Sequence, residues 1–315
     1  MTTSMIDSLK EIYDLHIFFK QEHVYNLASI HYDNIHRFSL GKTFDLKDFL
    51  VIRKKIRTIN AKVFITTFQD PRRILLLYAY SAFIPRIVSG YDHYNRVKNE
   101  KTPSHELDRY NWVLKDLDIT IKKQVPNISN WNWEKFEWKF NFPMEDSIIF
   151  HIGPSAEEAN ISKNIPPDLI VSIINEIPAD VREKVIIGIG SSHEKKIVQE
   201  VKTKTGSKIN TLSGMLNISQ LCYLISKSRL IVTSDSAPMH FALALQKKVL
   251  ALFGPTDYRV TGPYGSRNNY LVLTSNMNCS PCAKYGRISC KENAKCMEAF
   301  DKNEVLKSFF NLLDR

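Results

Sequence analysis

The stretch Arg229-Leu230-Ile231-Val232-Thr233-Ser234-Asp235-Ser236-Ala237-Pro238-Met239-His240, followed by Lys248-Val249-Leu250-Ala251-Leu252-Phe253 and Gly254-Pro255-Thr256-Asp257, decides the fold. Arg229 to Thr233 reads as a short apolar strand. Phe241, Ala242 and Leu245 recur with helical spacing over Pro238 to Gln246, and Lys248 to Phe253 is a second strand. Pro238 suits the first helical position and Ser236 or Ala237 the cap. The positive end of the helix then sits above the carboxyl end of the first strand. Such an end suits a diphosphate.

Upstream, the same alternation continues. Ser147-Ile148-Ile149-Phe150-His151-Ile152-Gly153 reads as a strand running into a loop, Pro167 to Ile177 as a helix and Lys184 to Ile189 as a strand. Helices follow over Glu194 to Lys204 and Ile218 to Ser226, and Lys302 to Leu313 forms a last helix. In the first part, helical periodicity covers Met5 to Tyr13, Leu46 to Asn60, Arg72 to Phe83 and His105 to Leu117, with strands at Leu15 to Phe19, Lys62 to Thr67 and Arg86 to Ser89. Alternating strands and helices predict parallel, helix-covered sheets. Between the blocks, Asn127 to Pro143 carries Trp131, Trp133, Phe136, Trp138, Phe140 and Phe142 among polar residues and reads as an aromatic linker.

A chain of 315 residues exceeds the size at which one core usually stops growing, so two domains are expected, at 1–143 and 144–315. An apolar content of 43% with 24% charged residues describes a globular protein. The longest apolar run, Ile74 to Pro85, is too short to span a bilayer, and the first residues lack the pattern of a secretory leader; a cytoplasmic protein is expected. The net charge of +10 is compatible with nucleic acid, an anionic membrane surface or phosphorylated substrates. It is spread over both halves without a dedicated basic arm. The local cluster is Arg53, Lys54, Lys55, Arg57 and Lys62, then Arg72 and Arg73.

Four of the five cysteines follow the pattern Cys279-x2-Cys282-x7-Cys290-x5-Cys296. The opening is metal-like, and in a reducing compartment clustered cysteines more often bind metal than form disulfides. Three readings stay open: a structural zinc or iron held by four thiolates, buried free thiols, or a disulfide. Cys222 lies inside a helix and reads as core.

The central stretch, with Thr261-Gly262-Pro263-Tyr264-Gly265, Cys279-Ser280-Pro281-Cys282 and Cys296-Met297 after it, resembles the lipopolysaccharide heptosyltransferase family, glycosyltransferase family 9. Lys163-Asn164-Ile165-Pro166 resembles that family's K-x-x-P segment, and Asn210-Thr211-Leu212-Ser213-Gly214 its N-L-x-G segment. The resemblance is dense over residues 147–300 and looser before. It implies an α/β fold of GT-B architecture, two doubly wound parallel-sheet (Rossmann-like) domains facing a cleft. The first would bind the acceptor and the second the nucleotide sugar, with helix 302–313 crossing back to brace the first.

Carried over by position, the resemblance implies a donor site of Lys163, Ser192, Leu212, Gly214, Met215, Asp235, Ser236, Ala237, Met239, His240, Gly254 and Thr256. Lys163 would clamp phosphate and stabilise the leaving diphosphate. Ser192 and Leu212 to Met215 fall where adenine and ribose lie. His105-Glu106-Leu107-Asp108-Arg109-Tyr110 resembles the family's H-x-x-D-R-Y segment, so Arg109, with the basic turn Arg72 and Arg73, is expected at the acidic acceptor. Salt bridging to Asp108 or Asp70 is the structural alternative. The basic cluster reads either as a solvated helix face or as a contact for acidic sugars and phosphates at the membrane surface, where each cation contributes ~1 kcal/mol.

Two departures stand out. The family has glycine where Ala237 stands, and an alanine there is expected to push the phosphate outward or shift the helix start. Family members also open with an apolar strand and a Gly-Asp loop whose aspartate is the general base, whereas Met1-Thr2-Thr3-Ser4-Met5-Ile6-Asp7 aligns with the helix after it. Asp7 lies too far along that helix to substitute, so the catalytic base is not assigned. The first domain is thus expected to lack its first strand, which would expose a sheet edge, and three explanations stay open: a start lying upstream, a real truncation leaving a weak or inactive enzyme, and a base recruited from elsewhere.

The resemblance implies an inverting transferase that moves a heptose from ADP-heptose to the lipopolysaccharide inner core. It would work on the cytoplasmic face of the inner membrane and require no cofactor for the chemistry; no divalent metal is expected there, because no D-x-D motif appears in the right context. The alternatives are a silent relative that only binds the donor, an autotransporter-type protein heptosyltransferase, which would favour the four-cysteine metal, and a four-cysteine protein that binds nucleic acid. The last leaves the D-S-x-P-x-H segment unexplained, and no nucleic acid is expected as partner.

Overall fold

The computed structural model describes residues 3–19, 28–29, 31–37, 46–66, 83–89, 105–121, 126–129, 131, 133, 138–140, 142, 144–153, 163–206, 209–265, 267–283, 290 and 295–314. The chain divides into two compact units, Met1–Gln124 and Val125–Arg315. No described helix is long and apolar enough to cross a membrane.

In the first unit, helix α1 (Thr3–Lys10) buries Ile6 and Leu9. Strand β1 (Ile17–Phe19) pairs in parallel with β2 (Ile35–Arg37), and β3 (Val63–Thr66) with β4 (Arg86–Ser89). Helix α2 (Leu46–Thr58) turns Ile52 and Ile56 onto Ile84, with Phe18, Phe64 and Ile87 packed against them. The apolar positions four apart thus make one buried stripe, and the cationic residues take the remaining face. Helix α3 (Glu106–Leu114) is capped by His105, whose Nδ1 accepts from the Leu107 N–H at 3.2 Å. Strand β2 was not expected, since three residues including His36 and Arg37 leave no apolar period to read.

The second unit is built on a six-stranded parallel sheet. Its strands are β5 (Ser147–Phe150), β6 (Val185–Ile187), β7 (Asn210–Thr211), β8 (Ser228–Ser234), β9 (Lys248–Phe253) and β10 (Tyr270–Thr274), in the spatial order β10-β9-β8-β5-β6-β7. The central strands read as continuous apolar runs because helices cover both faces of such a sheet; Ile148, Ile149, Phe150, Ile231, Val232 and Leu250 are wholly buried. Helix α4 (Pro167–Glu176) starts on a proline at its first turn and buries Leu169, Ile170, Ile173 and Ile174. Helices α5 (Ala179–Arg182) and α6 (Lys195–Thr205) follow, α6 ending on Gly206 in the left-handed conformation at φ +58°. Helix α7 (Ile218–Lys227) opens on a reciprocal capping box between Asn217 and Gln220. Helix α8 (Ala237–Ala244) links β8 to β9, and the short α9 (Tyr258–Thr261) and α10 (Lys295–Glu298) precede α11 (Lys302–Asp314).

Two placements differ from expectation. The aromatic segment belongs with the second unit, so the division falls at Gln124/Val125 rather than at 143: the Ile128 N–H donates to the Ala244 carbonyl, and Trp138 packs edge-on against Tyr223. Helix α11, expected to brace the first domain, fills the core of the second unit with Val305, Phe309, Leu312 and Leu313, and Arg229 holds the Leu313 carbonyl at 2.7 Å. Its apolar residues at i, i+4, i+7 and i+8 make one stripe, and the sheet is where that stripe is buried.

Candidate functional site

The strand order places the site. Strand β5 is central; the chain winds from it to β6 and β7 on one side, then crosses to β8, β9 and β10 on the other. The carboxyl ends of β5 and β8 therefore flank a topological switch point, the place where open parallel sheets bind ligands. Beyond the β5 end lie His151, Ile152 and Gly153, and the His151 N–H donates to the Val232 carbonyl, extending the ladder by one residue. Gly153 is needed because a Cβ there would stand 2.0 Å from Asn164 Oδ1. Asn164 belongs to the segment that returns to the sheet through the Ile165 N–H to Ile152 carbonyl bond, 2.7 Å long.

That return brings Lys163 to Asp235. Nζ and Oδ2 are 2.9 Å apart, with the two side chains 17% and 10% exposed. The pair is too little solvated to be an ordinary surface bridge, and the ammonium keeps further N–H donors beyond the one spent on Asp235. Next to it Ser236 adopts an extended backbone and α8 opens at Ala237, with Pro238 in its first turn. Serine is a usual cap, yet the Ser236 hydroxyl makes no capping bond; it turns inward, 2.9 Å from Thr233 Oγ1 and 3.2 Å from His151 Nδ1. Ala237 is exposed and helical, so the alanine sits at the helix start without strain. Met239 is wholly buried and packs; His240 is half-buried on the first turn.

A second group gathers at β6 and β7. Gly214, at φ +72°, would place a Cβ 3.0 Å from the Ser192 nitrogen, and its own N–H donates to the Gly190 carbonyl at 2.8 Å. Ser192, Gly214 and the exposed Met215 thus share one corner, while Leu212 is fully buried beneath it. At β9, a Cβ on Gly254 would stand 2.5 Å from Met297 Sδ and 3.0 Å from Cys296 Sγ, so the glycine admits the Cys296-Met297 turn behind the loop. Thr256 Oγ1 and Ser234 Oγ are buried with no hydrogen-bond partner among the described residues. Asp257 is engaged locally: it caps α9 and takes the Arg259 guanidinium in a fork, which lowers its pKa.

Sequence reasoning passed over two residues. Glu194, 5% exposed, accepts from the Ile152 N–H at 3.0 Å and the Gly190 N–H at 2.6 Å. Burial raises its carboxyl pKa to about 7 against the pull of those amides. Its Oε1 lies 3.8 Å from Nε2 of His151, whose own pKa burial lowers to about 4, so the imidazole is neutral near neutrality. The signal available was a histidine closing an apolar strand and an acid opening a helix after Gly190, but no local pattern says that the two meet.

Other expected residues lie elsewhere. Arg109 is on α3 of the first unit, half-buried. Arg72 and Arg73, with the helix expected over Arg72 to Phe83, fall outside the described residues apart from Phe83. Asp7 accepts from the Tyr32 hydroxyl at 3.1 Å on an exposed face. Cys279, Cys282, Cys290 and Cys296 are free thiols, and Cys222 is a buried one on α7. Cys296 is raised to about 11 by burial first and then by Cys282, Cys290 and Cys279, so the four sense one another. Among the described residues, however, no group of three or more His, Cys, Asp or Glu side chains is arranged to hold a metal ion.

The arrangement offers a helix amino terminus, a cation beside it and a carboxylate, set where a parallel sheet reverses its winding; it can hold an anionic ligand and bond a polar group next to it. Comparison with known proteins agrees. Residues 145–292 match the family model for glycosyltransferase family 9 (heptosyltransferase). Lipooligosaccharide heptosyltransferase 2 of Campylobacter jejuni is 23% identical over 303 residues, 93% of this chain and 91% of that protein. Lipopolysaccharide heptosyltransferase 2 of Escherichia coli K12 is 33% identical over 91 residues, 28% of this chain and 26% of that protein. A solved glycosyltransferase family 9 structure from Veillonella parvula superposes with a TM-score of 0.69 at 19% identity, covering 99% of this chain and 92% of that one. The E. coli heptosyltransferase WaaC with ADP gives 0.66 at 14% identity, covering 98% and 94%. The fold is accordingly GT-B, with Rossmann-like α/β units, and the chain is a glycosyltransferase whose six-stranded unit matches glycosyltransferase family 9, the heptosyltransferases.

Proposed function

We propose that the chain transfers a heptose from ADP-heptose, with inversion, to the inner core of a lipopolysaccharide. The observation that carries this reading is the Lys163–Asp235 pair beside the opening of α8, inside the segment matched to the family. In this reading the amides of α8 and Lys163 take the diphosphate, and Lys163 offsets the charge that develops on it as the sugar leaves. Asp235 bonds the transferred sugar, and the corner of Ser192, Gly214 and Met215 takes the adenosine. Arg109 and the basic face of α2 serve an acidic, lipid-linked acceptor, with the first unit, Met1–Gln124, as the acceptor domain and the protein working at the cytoplasmic membrane surface. The names of the C. jejuni and E. coli relatives support heptose and lipopolysaccharide, and the solved E. coli protein with ADP supports the nucleotide.

Calorimetry with ADP-heptose, followed by transfer to a deep-rough lipopolysaccharide acceptor, tests the proposal. Binding with transfer is expected. Binding without transfer points to a silent relative, and no binding sinks the donor site around Asp235.

A further inference from the structure

Beneath the ligand-facing residues runs a buried polar chain that the transfer reaction does not use. Glu194 ties the loop leaving β5 to the loop leaving β6 by accepting from Ile152 and Gly190. His151 stands between Glu194 and the end of β8, with Nε2 3.8 Å from Glu194 Oε1 and Nδ1 3.1 Å from Thr233 Oγ1 and 3.2 Å from Ser236 Oγ. The two hydroxyls are 2.9 Å apart, and each lies 3.1 Å from the Ser234 carbonyl. The chain therefore crosses the carboxyl ends of β6, β5 and β8 and finishes on the residue that precedes α8.

We propose that Glu194 and His151 are positioning residues that hold the Ser236 hydroxyl away from its own helix, so that the amides opening α8 stay available to phosphate. This rests on reading the site as one for a nucleotide diphosphate. Two proton arrangements satisfy the contacts. With the proton on Nδ1, the ring donates to a hydroxyl and Ser236 keeps its own proton for another acceptor. With the proton on Nε2, Nδ1 is an acceptor and one hydroxyl must donate to it. Thr233 and Ser236 each have the Ser234 carbonyl at 3.1 Å, so whichever hydroxyl donates to the ring the other keeps that carbonyl, and the Ser236 hydroxyl is held within the chain either way. A carboxylate on the Nε2 side decides between them: in a buried site its charge favours the proton on the nearer nitrogen even without a direct hydrogen bond. The imidazole stays neutral, so the choice is one of tautomer. Ser236 is thereby drawn inward, which explains why a serine placed to cap α8 makes no capping bond.

The tautomer of His151 is read directly from the ring nitrogen shifts of the ligand-free protein, above neutral pH where Glu194 is ionised. The Nε2–H form is expected in the wild type and a shift towards Nδ1–H in Glu194→Gln. With ADP as probe, Glu194→Gln is expected to weaken binding about tenfold, and by less than twofold when made in the Ser236→Ala background, because the effect runs through that hydroxyl. A wild-type Nδ1–H tautomer, or an equal loss in both backgrounds, overturns the proposal. The wild-type spectrum decides even where a variant fails to fold. Absence of ADP binding by the wild type instead removes the nucleotide reading, and the tautomer still reports on the pair.

Discussion

Lys163 Nζ sits 2.9 Å from Asp235 Oδ2, joining the segment that returns after β5 to the end of β8 across the point where the sheet reverses its winding. A cation held by a carboxylate in this position is already oriented, so a phosphate meets it without ordering a free lysine chain.

The two partners should therefore separate in their effects. Lys163→Ala is expected to weaken ADP binding about ten- to a hundredfold, or ~1.4 to ~3 kcal/mol, because a charge-assisted contact is lost. Asp235→Asn keeps the shape; the lost ordering of the lysine and the lost repulsion between carboxylate and phosphate offset one another, so ADP affinity should change by less than about twofold while transfer falls at least about a hundredfold. Titration calorimetry and a turnover assay on the same preparations check both.

The buried pair carries a pH signature. Glu194 is raised from 4.5 to about 7, so it favours the fold fully below pH 4.5 and loses that contribution as the pH rises to about 7. His151 is lowered from 6.5 to about 4, so its contribution is complete above pH 6.5 and is lost as the pH falls towards 4. Each amounts to about 3 kcal/mol, and between pH 4.5 and 6.5 they oppose one another. Denaturant midpoints across that window should slope little from this pair in the wild type, rise with pH in Glu194→Gln and fall with pH in His151→Gln.

Gly254 admits Met297 at a distance no side chain allows. Gly254→Ala should cost about 1 to 3 kcal/mol through overpacking, and Met297→Ala in the same chain should recover part of the loss by opening the space. Urea midpoints of the two single variants and the double variant test the coupling.

Asn217 closes one end of a reciprocal capping box with Gln220. Asn217→Ala is expected to destabilise the second unit by about 1 kcal/mol, and Asn217→Ser by much less, since serine restores the accepting oxygen. Thermal or urea unfolding distinguishes the two replacements.

Much of the second unit was legible in the sequence because its signals are local. Lys248 to Phe253 lies where the apolar run places it, as does Arg86 to Ser89 in the first unit, and Pro167 and Asn217 mark helix starts by side-chain chemistry alone. Lys163 and Asp235 were each legible through the family resemblance, but their pairing joins residues 72 positions apart. The buried chain was harder still: His151 reaches Ser236 across 85 positions and Ile152 reaches Glu194 across 42, and a polar residue ending an apolar strand looks the same whether it faces solvent or a partner. The division at Gln124 escaped notice because the aromatic spacing of Asn127 to Pro143 resembles a connector, whereas one main-chain bond from Ile128 to Ala244 places it on the second unit. Strand β10 lacked a turn signal strong enough to separate it from the asparagines before it.

The packing of α11 has a bearing on biosynthesis. Phe309 stacks on Phe150 at a ring separation of 6.3 Å, so a strand made early is covered by a helix made some 150 residues later. While residues 305–313 are still within the ribosome, β5 and β9 present bare apolar surface to the cytosol. The second unit must therefore close after synthesis of that helix, and until then the nascent chain is a natural client for chaperones that shield exposed aliphatic strands.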